Sequence, residues 1–229
     1  MTQVWIYTLI PAAIAVLGAI VAVSLRPGPI VVSAIQHFAA GVVFAAAAGE
    51  IMPDVMHGGS VPATLIGGFA GIAVMLGIRQ LERAVAGPSG LLTLVGVDIL
   101  IDGLVLGIAF AAGGQAGLLL TVALSVEVLF LGLALTTGLS ETVRSRARIV
   151  GIVALMVLLL PLGAAVAAPI AALPPQYIVG FLSFGLIALL YLVTEELLVE
   201  AHKTPDKPWV TAMFFGGFLL LMSLEEAIG

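Results

Sequence analysis

The chain has 229 residues, 62% of them hydrophobic and 9% charged, at a mean hydropathy of +1.26. A soluble domain is about half apolar and about a quarter charged, so a soluble globular fold is excluded, and eight Lys and Arg leave no nucleic-acid footprint. The absence of cysteine excludes a disulfide framework, a thiolate metal site and a cysteine nucleophile.

A bilayer core takes about 20 apolar residues per helix. Val4 to Leu25 is long enough to span it, and no basic residue precedes it. That reads as a first membrane span rather than a cleaved signal. Breaks at 26–29, 53–62, 79–90, 113–115, 140–148, 169–176 and 201–208 then divide the rest. They predict eight helices near 4–25, 30–52, 61–78, 91–112, 116–139, 149–168, 177–199 and 209–226. The connections are too short for an extramembrane domain, so residues 1–229 form a single transmembrane domain of the all-α class. The 27 glycines suit close helix approach in lipid.

The basic residues fall in a pattern. Arg26 follows span one, and Arg79 and Arg83 follow span three. Arg144, Arg146 and Arg148 follow span five, and Lys203 and Lys207 follow span seven. All lie on odd-to-even connections. The positive-inside rule places that face in the cytoplasm and both termini outside.

Ionisable residues inside a bilayer are functional candidates by default. Asp98 and Asp102 lie near the middle of span four, one helical turn apart on one face. Glu127 lies near the middle of span five. A tight glycine turn joins these spans, so the three acids reach similar depth. Three carboxylates at one depth cannot all stay ionised and unpaired, so protons or a cation must neutralise them. Other acids mark span ends. Glu50 and Asp54 close span two on the outer side, with His57 beyond. Glu225 and Glu226 close span eight there. Glu195, Glu196 and Glu200 close span seven on the inner side, followed by His202. His37, in the inner half of span two, reads as a hydrogen-bonded packing residue. The endings Glu50-x-x-x-Asp54-x-x-His57 and Glu196-x-x-x-Glu200-x-His202 face opposite sides, as an inverted repeat would place two gates around a midplane site.

In order along the chain, these residues resemble the ZIP family of divalent-metal transporters. Span two is similar in its His37-Phe-Ala-Ala-Gly and Glu50-Ile-Met-Pro-Asp54 stretches. Asp98-Ile-Leu-Ile-Asp102-Gly103 resembles the family's His-Asn-x-Pro-(Glu/Asp)-Gly motif. Glu195-Glu196-Leu-Leu-Val-Glu200-Ala-His202 resembles its His-Glu-x-x-Pro-Glu-x-His ending. There are departures. The family's span-four His and Asn are Asp98 and Ile99. On span five only Glu127 remains, with Val128 and Leu131 in the other polar places. Span six carries no acid, and the span-seven His is Glu195.

The resemblance implies a 3+2+3 inverted-repeat fold with spans four and five at the centre of the pathway. The resulting expectation is a carrier moving a divalent cation (zinc, manganese or iron, with magnesium also suited to oxygen ligands) toward the cytoplasm. Asp98, Asp102 and Glu127 would hold one ion rather than a bridged pair. Glu50, Asp54, Glu225 and Glu226 would recruit ions outside, and Glu195, Glu196, Glu200 and His202 would receive them inside. No organic cofactor, nucleotide motif or enzymatic activity is expected. The partners are the ions and the bilayer, expected to be a prokaryotic inner membrane, with a homodimer open. Two alternatives are a non-transporting metal sensor and an intramembrane aspartyl protease using Asp98 with another acid.

Overall fold

A computed structural model describes residues 2–25, 27–84, 88–140, 142–205 and 207–228. Among them eight helices are long and apolar enough to cross a membrane. They are α1 (Thr2–Leu25), α2 (Pro29–His57), α3 (Val61–Ala84), α4 (Pro88–Ala112), α5 (Gly114–Ser140), α6 (Arg146–Ala172), α7 (Pro175–Ala201) and α8 (Pro208–Ile228).

The helices differ from the sequence expectation mainly at prolines and basic residues. Span two was expected to stop before Pro53, yet α2 continues to His57. Proline removes one ladder hydrogen bond and crowds the carbonyl four residues earlier. Here that carbonyl belongs to Gly49, and the chain widens into a π-helical turn over Ala47–Ile51 before Pro53. A second π-helical turn, Leu192–Leu197, interrupts α7. There the Thr194 hydroxyl donates to the Leu190 carbonyl at 2.9 Å and competes for the ladder. In α6 the regular helix stops at Met156 and resumes at Leu159, because Pro161 crowds the Val157 carbonyl. Arg79 does not end α3, which runs on to Ala84; its long stem lets the guanidinium reach a carboxylate from within the helix. Arg26 lies outside the described residues, as does the side chain of Arg83.

Four close pairs build the bundle: α1 on α5, α4 on α6, α2 on α8 and α3 on α7. Helices α1, α4, α5 and α6 pack chiefly among themselves, as do α2, α3, α7 and α8. The two blocks meet where α2 crosses α5 and α4 crosses α7. Glycine sets the spacing in each pair. A Cβ on Gly103 would stand 2.0 Å from the Leu160 carbonyl oxygen, and one on Gly163 would stand 2.1 Å from that of Leu100. Gly18 and Gly132 meet carbonyls of the partner helix in the same reciprocal way, as do Gly41 and Gly217. Dispersion and backbone proximity replace the hydrophobic drive that lipid cannot supply.

Candidate metal centre

Helices α4 and α5 are joined through Gly113, whose amide donates back to the Ala109 carbonyl at 2.9 Å. This short link holds the two helices antiparallel and fixes their relative depth. Asp98 and Asp102 stand one turn apart on α4, and Glu127 faces them from α5. All three are buried, with Glu127 only 2% exposed, and one ligand oxygen from each lies within 4.8 Å of the others. Among the described residues Asp102 Oδ2 and both Glu127 oxygens have no hydrogen-bond donor. A buried carboxylate without partners costs several kcal/mol, and a divalent cation is the counter-charge that three clustered carboxylates fit. They offer up to six oxygens, enough for one hard or borderline ion.

A cavity of about 660 Å³ reaches the cluster from one side. It runs from Asp98 and Glu127 past Glu195 and Glu196 to the exposed Glu200 and Lys203. Five carboxylates line it against two basic groups, Arg79 and Lys203. Toward Gly113 the same two helices are packed shut. Val105, Leu106, Ile108, Ala109, Leu119, Leu120, Ala123 and Leu124 are all at most 1% exposed.

The structure therefore brings Asp98, Asp102 and Glu127 together and sorts the remaining acids. Glu196, on the π-helical turn of α7, lies close enough for its charge to act on Asp102 and Glu127. Glu195 pairs with Arg79, which also donates to the Tyr191 hydroxyl at 3.5 Å. Glu200 pairs with Lys203. Glu50 meets Glu225 across the α2–α8 contact, with Asp54 near. Glu226 and His57 are exposed. His202 does not line the cavity and instead packs against His37.

Sequence reasoning missed Arg79 as a lining residue, because it treated the basic residues only as markers of sidedness. It also set His37 aside. The available signal was that Arg79 and Glu195 both lie near span ends that the charge pattern puts on one face, but sequence does not say which helices touch.

No protein-family model and no curated protein matches the chain.

Proposed function

We propose that this protein is a ZIP-like carrier that moves a divalent cation toward the cytoplasm through Asp98, Asp102 and Glu127. The carrying observation is the buried carboxylate cluster, without hydrogen-bond donors among the described residues, that an acid-lined cavity reaches. Such a cluster is costly to fold and is kept where an ion uses it. The cavity ends on the face that carries the basic residues, the cytoplasmic face by the positive-inside rule. In this reading the described conformation is open inward, and the apolar plug toward Gly113 seals the outside.

The helix pairing supports a 3+2+3 inverted repeat. Exchanging α1 with α6, α2 with α7, α3 with α8 and α4 with α5 turns the α1·α5 contact into α6·α4, and α2·α8 into α7·α3. The π-helical turns on α2 and α7 exchange as well, and each carries an acid of a gate. Glu50, Asp54, Glu225 and Glu226 collect ions outside. Glu195, Glu196 and Glu200, which line the cavity, take them inside, with Arg79 and Lys203 occupying Glu195 and Glu200 until an ion displaces them; His202 stands off this path, against His37.

A panel of zinc, manganese, iron and magnesium fluxes in proteoliposomes tests the reading. At least one ion is expected to enter, and Asp98→Ala should remove most of that flux. Binding without flux for every ion would make the chain a sensor instead.

A further inference from the structure

His37 on α2 and His202 just past the end of α7 are 165 positions apart by their numbering and yet adjoin, with ring centroids 5.1 Å apart and planes at 65°. Nδ1 of His37 lies 2.9 Å from the Ser33 carbonyl oxygen, one turn earlier. Nδ1 of His202 makes the same contact with the Leu198 carbonyl. A carbonyl can only accept, so each Nδ1 carries the proton, and in a neutral ring each Nε2 carries a lone pair. The Ser33 hydroxyl donates to the Ala201 carbonyl at 3.0 Å. That bond ties the turn holding His37 to the residue just before His202.

A packing histidine would have both nitrogens satisfied. His37 does not, since it is 2% exposed and its Nε2 has no hydrogen-bond partner among the described residues. An unsatisfied buried polar atom costs about 1–3 kcal/mol. His202 is exposed, so an ion can arrive from solvent. Metal-bound histidines almost always donate their second N–H to a carbonyl or carboxylate, as both rings do here. A tetrahedral ion with metal–nitrogen bonds near 2.1 Å sets two imidazole centroids roughly 5 Å apart.

We propose that His37 and His202 form a second metal site with imidazole nitrogen ligands. It takes a borderline transition-metal ion such as Zn²⁺ or Co²⁺ in preference to Mg²⁺ or Ca²⁺, which favour oxygen. Water completes the shell on the exposed side. The site is separate from the all-oxygen cluster, and it binds its ion whether or not the chain transports.

The test is a Co²⁺ titration of the full chain in detergent, followed by visible absorption. In the Asp98→Asn/Glu127→Gln protein, one Co²⁺ per chain should bind with the strong visible bands of a four-coordinate site, and a large excess of Mg²⁺ should not displace it. Adding His202→Gln, an exposed change, or His37→Gln should weaken that binding roughly 10-fold or more. In the otherwise unaltered chain, His202→Gln should lower the Co²⁺ stoichiometry by one, which needs no change at the central cluster. Absence of Co²⁺ binding in the double variant, displacement by Mg²⁺, or full binding after His202→Gln overturns the site. Loss of flux alone, with this binding intact, counts only against the carrier.

Discussion

Glu127 is the most deeply buried of the three central acids. It is 2% exposed, and among the described residues neither oxygen has a hydrogen-bond donor. Glu127→Gln keeps its shape and removes its charge, so it should weaken divalent binding at this cluster roughly 100-fold. That is about 2.7 kcal/mol, within the 2–5 kcal/mol range seen when one partner of a buried charge pair is lost. Calorimetry with Mn²⁺ measures it. The positions that the resemblance to ZIP carriers would assign to an adjacent second ion, Ile99 and Val128, are only 1% and 0% exposed, and apolar groups cannot replace a hydration shell. One central ion is therefore expected. Two anomalous peaks roughly 4 Å apart in a Mn²⁺-soaked crystal, the usual two-metal spacing, would refute that. Acid acts on the same oxygens. Only ionised carboxylates bind the ion, and protons compete for them, so affinity should fall as pH falls, with proton release on binding. Titrations in buffers of different ionisation enthalpy would contradict this if the apparent heats were identical.

At the level of helices, the glycine contacts fix where the acids stand. The backbone of α6 touches α4 directly through Gly163. Gly163→Val would push α6 off the helix that carries Asp98 and Asp102, without altering any ligand. Overpacking of this kind costs about 1–3 kcal/mol. The melting temperature in nanodiscs should drop and ion affinity should fall with it, whereas Gly77→Ala, which meets open space, should change neither. What was legible in the sequence follows from lengths and turns. Bilayer thickness sets the apolar runs, which is why eight spans could be counted. The glycine link at Gly113 sets a common depth for Asp98, Asp102 and Glu127. The π-helical turns were not legible: at Pro53 a proline can end a helix or be absorbed by it, depending on packing around Gly49, and on α7 a threonine hydroxyl competing for the ladder leaves no mark in the apolar pattern. Nor were Arg79 with Glu195, or His37 with His202. Both pairs join helices far apart in the chain, and hydrophobic patterning gives no azimuth when a helix is apolar all round.

For the molecule as a whole, sidedness rests on the eight basic residues. The chain has no cysteine, so Ser145→Cys, between α5 and α6, gives one reporter. It should resist impermeant maleimide on intact cells and react in inverted vesicles. Labelling from outside would reverse the assignment. The division into two blocks has an electrical consequence. Asp98, Asp102 and Glu127 all belong to the block of α1, α4, α5 and α6, so in the proposed carrier any sliding of that block against the other carries the three acids and a bound ion together. Three ionised carboxylates with one divalent ion keep a net charge of −1. Moving that charge through 100 mV is worth about 2.3 kcal/mol, and burying it bare costs several kcal/mol more. A single retained proton abolishes both penalties. The loaded block should then cross without current, so uptake into vesicles clamped at about 100 mV of either polarity should run at the same rate. A rate that changes roughly 10-fold with polarity would mean that uncompensated charge crosses with the metal.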